Sequence, residues 1–231
     1  MRFEDLNWMD VESYLKHDQR VMLVTGACEQ HGYLSLLCDV RIPMALADAA
    51  SERTGVPVAP PVNYGISTSF ATYPGTVSLG THTFLHVVED VIRDLHRQGF
   101  KRILILNGHG GNQPVRGVLK ELVNEIPDLR LAWNSWWESP AVDAIGAEHG
   151  LTGSHAAWVE AFPFTRVAPL PDGVKDIEID GEIRDAAANR EYYGDGQMGG
   201  AYQANPEIMD QVFEAAVAEI VADLERLKSR T

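Results

Sequence analysis

The chain has only two cysteines in 231 residues, Cys28 and Cys38. So few thiols cannot build a disulfide framework, and a bridge inside one short segment would do little for a chain of this length, so a reducing, cytoplasmic setting is expected. Each thiol lies in or beside an apolar run and reads as a small packing group. Positive charge is scarce as well. Lys and Arg number 19 against 33 Asp and Glu, for a net charge of −14, and no eight-residue stretch is strongly basic. That balance lacks the footprint needed to neutralise phosphates, which excludes a nucleic-acid partner. No apolar stretch approaches the roughly 18 residues of a membrane span. The start, Met1-Arg2-Phe3-Glu4-Asp5-Leu6, has no signal-peptide core, so no membrane partner is expected.

What is present is an ordinary globular composition, 45% hydrophobic and 23% charged, in an alternating pattern. Val21–Thr25, Val56–Ala59, Ile103–Leu106 and Leu129–Trp133 read as strands. Helical spacing follows through Ile42, Leu46 and Ala50, through Phe84, Val88, Val91, Ile92 and Leu95, and through Val115, Val118, Leu119 and Leu122. A last amphipathic helix is expected from Ile208 to Leu227, after an irregular stretch over residues 171–205. Short, continuous apolar strands alternating with helices predict an α/β fold, a three-layer αβα sandwich with a mostly parallel central sheet. No linker divides the chain, so residues 1–231 are expected to form one domain.

Two polar segments directly follow strands. Residues 29–39 read Glu-Gln-His-Gly-Tyr-Leu-Ser-Leu-Leu-Cys-Asp, and residues 107–112 read Asn-Gly-His-Gly-Gly-Asn. Glu29, His31, Asp39 and His109 would then gather at the carboxyl ends of two strands, where open α/β sheets place their ligand crevice. Glu29 and His31, at i and i+2 of extended chain, face the same side. Asp39 has two oxygens with which to bridge two metals, but it is equally well placed to cap a helix starting near Val40. His109 sits in a glycine turn that could cradle a phosphate, yet Gly108, Gly110 and Gly111 do not have dinucleotide spacing and no P-loop lysine follows. A ligand role explains that histidine better. Two carboxylates and two imidazoles suit one divalent transition metal, or a pair sharing a carboxylate, and so hydrolysis by a metal-bound water. A third segment runs Gly153-Ser154-His155-Ala156-Ala157-Trp158-Val159-Glu160. On a helix, His155 and Glu160 would lie roughly 140° apart. They share a face only if the helix begins between them with Ser154 as its cap; otherwise they are a solvated pair, which their apolar neighbours disfavour.

Taken together, these segments resemble the creatininase family of metal-dependent amidohydrolases. The resemblance rests on Glu29-Gln30-His31-Gly32 with Asp39, Tyr73-Pro74-Gly75-Thr76-Val77-Ser78-Leu79-Gly80, Asn107 to Asn112, His155-Ala156 through Glu160, and the Gly194-Asp195-Gly196 loop. It implies an αβα sandwich holding two divalent ions (zinc, manganese or iron). Carried over by position, Glu29 and His109 would hold one metal, His31 and Glu160 the other, and Asp39 would bridge, with His155 as the acid/base group. Members differ in where the carboxylate corresponding to Glu160 comes from. Trp136 and Trp137 lie where some members wall the substrate, with core or interface packing as the alternative. Ser78 and Trp158 complete the expected substrate contacts. The sequence departs from the family at Tyr33-Leu34-Ser35-Leu36-Leu37, which lacks a second histidine and is one residue shorter. Trp158 also falls where the usual His-Ala-Gly-Glu pattern is lost. Both departures leave the expected ligands in place and argue against creatinine itself as substrate.

The resemblance further implies a homo-oligomer, a hexamer built from dimers. The cluster of Trp133, Trp136 and Trp137 is more aromatic surface than one core readily hides, which points the same way. The function expected is dinuclear hydrolysis of a C–N bond in a small cyclic amide or formamide by a metal-bridging hydroxide, with His155 protonating the leaving nitrogen. Two alternatives stand beside it: a metallopeptidase trimming a peptide end in cofactor maturation, and a non-catalytic small-molecule binding protein on the same scaffold. A serine-histidine triad is weaker, because neither Ser78 nor Ser154 has an evident base partner.

Overall fold

The computed structural model describes residues 1–229; the last two residues of the expected domain lie outside them. Asn7 caps α1 (Trp8–Leu15) by accepting from the backbone of Met9 and Asp10. The chain then enters β1 (Arg20–Thr25), of which every residue is buried. In chain order follow α2 (Cys38–Thr54), α3 (Thr81–Gln98), β2 (Arg102–Asn107), α4 (Val115–Glu125), β3 (Arg130–Ser135) and α5 (Pro140–Glu148). After them come β4 (Val174–Lys175), α6 (Ala186–Tyr193), β5 (Gly200–Ala201) and α7 (Pro206–Ser229).

Strands β1, β2 and β3 pair in that order, all parallel, in register from Arg20, Arg102 and Arg130 to Thr25, Asn107 and Ser135. Side chains alternate across a strand, so the same run feeds two cores. Met22, Val24, Leu104 and Leu106 pack with residues of α2 and α7. Val21, Leu23, Ile103 and Ile105 pack with α3 and α4. This is the expected αβα sandwich, and its parallel strands are apolar throughout because both faces are covered. All three strands present their carboxyl ends to the same side, which is where the polar segments emerge.

Several expectations are corrected. Val56–Ala59 does not make a ladder. Val58 forms single bridges to Met22 and to Arg2, and Val62 one to Thr25. Pro57, Pro60 and Pro61 remove the donors that a continuous strand would need. Helix α2 begins at Cys38 with Leu37 as its N-cap, so Asp39 is not the cap but the second helical residue. No helix spans His155 to Glu160. Ala156 instead adopts φ +58° and a single 3-10 turn covers Trp158–Glu160. The stretch over residues 171–205 contains α6, capped by Asp185, and the small β4–β5 pair. The tryptophan cluster is not a surface patch either. Trp136 is in the core, edge-on to Trp137 and tilted against Phe162, and Trp133 is partly covered with the Arg116 guanidinium 5.9 Å from its ring. The exposed tryptophan is Trp8 of α1. Among the described residues, no helix is long and apolar enough to cross a membrane.

Candidate metal centre

Glu29 and His31 leave the end of β1, Asp39 rides on the first turn of α2, and His109 follows β2; all four are buried. Helix α2 is brought unusually close to both strand ends. A Cβ placed on Gly108 would meet the Asp39 carbonyl oxygen at 1.9 Å, and one on Gly26 would meet it at 2.5 Å. Only residues without side chains allow that approach. Pro43, four residues on, has no N–H to bond that carbonyl.

Two overlapping triplets of ligand-type atoms result, Glu29–Asp39–His109 and His31–Asp39–Glu160, with Asp39 common to both. His155 forms a third grouping with Glu29 and His31. The two imidazoles are oriented from behind. His31 Nδ1 lies 3.0 Å from the Glu29 carbonyl and His109 Nε2 lies 2.9 Å from the Ile66 carbonyl. A carbonyl can only accept, so these nitrogens carry the protons, and the opposite nitrogens turn towards Asp39. His31 Nε2 is 2.9 Å from Asp39 Oδ1 and His109 Nδ1 is 2.8 Å from Asp39 Oδ2. Yet His31 Nε2 and Asp39 Oδ2 are buried without a hydrogen-bond partner. Atoms that crowd without pairing are aimed at a common point, and a nitrogen-and-oxygen donor set of this kind fits a divalent transition metal.

The charges are strongly coupled. Burial works against the Asp39 carboxylate, but the His31 and His109 imidazoles outweigh it and hold Asp39 below the usual carboxylate range. Burial pushes Glu29 up to about 7, with His109 opposing. Burial also disfavours a charged His109, yet Asp39 and Glu29 raise it to about 9. His155 behaves in the opposite way. Burial, then the neighbouring His31, keep it well below the ordinary histidine value and hence neutral. The thiols take no part: burial pushes Cys38 up to about 12, and Cys28 donates to the Gly75 carbonyl.

His155 and Glu160 come from the turn that replaces the expected helix. The left-handed Ala156 turns its N–H onto Glu160 Oε2 at 2.6 Å, leaving Glu160 Oε1 3.8 Å from His31 Nε2. His155 stacks on Phe70, with centroids 4.7 Å apart and planes at 14°, and its Nδ1 lies 3.6 Å from Glu29 Oε1. Its Nε2 lies 3.0 Å from the Gln30 carbonyl and 2.8 Å from Gln30 Nε2. Gln30 is itself locked, accepting from Gly32 N–H and donating to the Gly196 carbonyl. The loop carrying Gly196 is tied down by the Lys175 ammonium, which reaches the Tyr193 and Gln197 carbonyls and Asp195. Neither Phe70 nor Gln30 was among the residues expected in the site. Alternation had a clue for Gln30, since the residue between Glu29 and His31 must face away from them and towards something else. Nothing in the sequence marks Phe70.

Glu29, Asp39, His109, His155, Glu160 and Phe70 open onto one cavity of about 610 Å3, with His31 and Gln30 behind its lining. Trp137 and Trp158 line it. Trp136, which the resemblance placed beside the substrate, is core instead. Ser78, expected as a substrate contact, lies off the lining, where its hydroxyl accepts from Ser67 N–H and donates to the Leu79 carbonyl.

Comparison with known proteins bears on the family and the fold. The creatininase family model, described as creatinine amidohydrolase, matches residues 4–224. Creatinine amidohydrolase of Pseudomonas putida is 34% identical over 154 residues, which are 60% of this chain and 59% of that protein. The mycofactocin precursor peptide peptidase of Mycolicibacterium smegmatis is 41% identical over 102 residues, 40% of each chain. The matched segments thus span less than two thirds of either curated relative. A solved mutant creatininase of Zn-Zn type superposes with a TM-score of 0.84 at 25% identity, covering 99% of this chain and 98% of that one.

Proposed function

The chain belongs to the creatininase family, and from that premise we propose that it is a metal-dependent amidohydrolase cleaving a non-peptide C–N bond, in a cyclic amide or a formamide. The observation that carries this reading is the pair of ligand triplets sharing Asp39, each with an imidazole oriented by a backbone carbonyl. Glu29, His109 and Asp39 would hold one divalent ion, and His31, Glu160 and Asp39 a second; zinc has a precedent in the Zn-Zn structure, with manganese or iron as alternatives. Such ions would supply a water acidified towards neutrality and an electrophile for the amide oxygen.

The remaining chemistry falls to the chain. Of its two tautomers, the one in which Nε2–H donates to the Gln30 carbonyl, rather than Nε2 accepting from the Gln30 amide, leaves His155 Nδ1 as a neutral base on the cavity side, facing Glu29. That nitrogen can take the proton released as water adds to the carbonyl carbon and return it to the departing nitrogen, so that one C–N bond breaks as one C–O bond forms. Phe70 fixes the ring plane for both transfers. The burial that keeps His155 neutral also keeps it ready to accept.

The test is metal content together with turnover. Purified protein should hold close to two divalent ions per chain and open lactams or deformylate formamides, and a chelator should abolish both. Protein without stoichiometric metal would favour the non-catalytic binding reading, and release of residues from a peptide end would favour the peptidase. We also place the chain in a homo-oligomer, with exposed Trp8 and Met9 of α1 as candidate contacts. A solution mass equal to the 25.5 kDa chain would reject that.

A further inference from the structure

The cavity is larger and more one-sided than a single small ring requires. At about 610 Å3 it falls in the range that encloses a drug-sized molecule. Its lining is of two kinds. Glu29, Asp39, His109, Glu160 and His155 make a polar part. Trp137, Val142, Leu151 and Trp158 make an apolar wall, where α5 at Gly146 comes close to Trp158 and Leu151. Trp158 and Val142 belong to the main core, with Trp137 and Leu151 packed against it, so this wall is rigid rather than a set of loose surface side chains.

The lining also has a consistent charge. Four carboxylates face it (Glu29, Asp39, Asp143 and Glu160), and no lysine or arginine does, among the described residues. Three of the four are spoken for by the candidate metals. Asp143 is not; it stands in the first turn of α5, exposed at the mouth. A substrate carboxylate placed against the apolar wall, away from the candidate metals, would therefore find no cation, would lose its hydration, and would approach Asp143. The hydrophobic contribution has the opposite sign. Burying one aromatic ring against such a wall favours binding by roughly 30-fold or more.

We propose that this cavity selects neutral or cationic amides whose reacting group is attached to an apolar group about the size of an aromatic ring, and that it rejects amides carrying a carboxylate on that group. The inference rests on the amidohydrolase reading above and names its substrate class. Trp137 and Trp158 hold the apolar group while the amide reaches the ligand cluster. Asp143 sets the charge preference at the mouth.

The test compares metal-loaded protein on three formamides with the same reacting group: N-methylformamide, N-(2-phenylethyl)formamide and 4-(2-formamidoethyl)benzoate, whose carboxylate is carried on the ring and so at the apolar wall. Binding of the corresponding acetamides, as slowly cleaved analogues, is followed in parallel by tryptophan fluorescence. The phenylethyl compound should exceed N-methylformamide by at least 30-fold in kcat/KM. 4-(2-formamidoethyl)benzoate should fall at least 10-fold below the phenylethyl compound. Asp143→Lys, on an exposed helix position, should shrink that second ratio at least 5-fold while leaving the first unchanged. Hydrolysis of all three at similar kcat/KM, or faster hydrolysis of the carboxylate, overturns the selection while leaving the amidohydrolase reading intact. No hydrolysis, but fluorescence-detected binding of N-(2-phenylethyl)acetamide in preference to its carboxylate counterpart, sinks the amidohydrolase reading and keeps the cavity assignment. Neither hydrolysis nor preferential binding rejects both.

Discussion

The two halves of the candidate centre are built differently. Glu29, His31, Asp39 and His109 are carried by the sheet and by α2: the residues sit just past strand ends or in a first helical turn, and the close approach at Gly26 and Gly108 locks these pieces together. His155 and Glu160 hang on a turn. Their positions depend on one left-handed alanine, one N–H bond to Glu160 and the grip of Gln30. The scaffold half supplies four of the five candidate ligands, and the turn half supplies the fifth together with the proton-transfer group. Sites commonly place their chemistry on loops held by a rigid frame, and here the division runs through a single cluster.

The sharpest way to break this contrast is to remove one carboxylate from each half. Asp39 belongs to both triplets, so Asp39→Ala should empty the centre, taking bound metal from about two ions per chain to near zero and abolishing turnover. Glu160→Ala should remove only the ion it shares with His31, leaving about one. Elemental analysis of the two purified variants decides it. Equal metal content in both would mean that Asp39 does not bridge.

Next in size is His155→Ala. General acid–base catalysis contributes roughly 10²–10⁴-fold, and turnover should fall by that factor with metal content nearly unchanged. His155 groups with Glu29 and His31 closely enough to be a ligand itself. Loss of metal in this variant would therefore transfer it from the proton-transfer role to the coordination sphere.

The same division explains what the sequence revealed. Three strands and their helices were legible because short continuous apolar runs and helical spacing leave few alternatives once both sheet faces must be covered. Glu29, His31, Asp39 and His109 were legible because each lies a fixed short distance past such a run. The turn half was visible as residues but not as geometry. A helical reading of Ser154 to Glu160 ignored that αL conformations in an alanine have no sequence signature. Residues 186–193 were read as irregular although Asp185 before three alanines is a helix start; the surrounding Gly, Asp and Tyr hid it. Which of Trp136 and Trp137 meets the cavity could not be resolved from sequence, since both lie in a single 3-10 turn just past β3, where strand alternation no longer assigns a face. Only one of them lines the cavity, and it is Trp137.

The smallest expected effect probes the turn itself. Ala156 at φ +58° carries a left-handed cost of about 1–2 kcal/mol for an L-residue. Ala156→Gly removes that strain but adds about 0.5–1 kcal/mol of unfolded-chain entropy and deletes a buried methyl that faces Gly32. The terms nearly cancel, so stability by denaturant titration should stay within about 1 kcal/mol of the parent, with the Glu160 bond and metal content retained. Ala156→Val adds a β-branch that the left-handed region does not accept. It should lose about 2 kcal/mol and loosen the metal that Glu160 helps to hold, because the N–H that orients the carboxylate swings away. A valine variant as stable and as metal-rich as the glycine one would show that the backbone relaxes freely at this position. The turn half would then be no less tolerant than the scaffold half, and the contrast between them would fail.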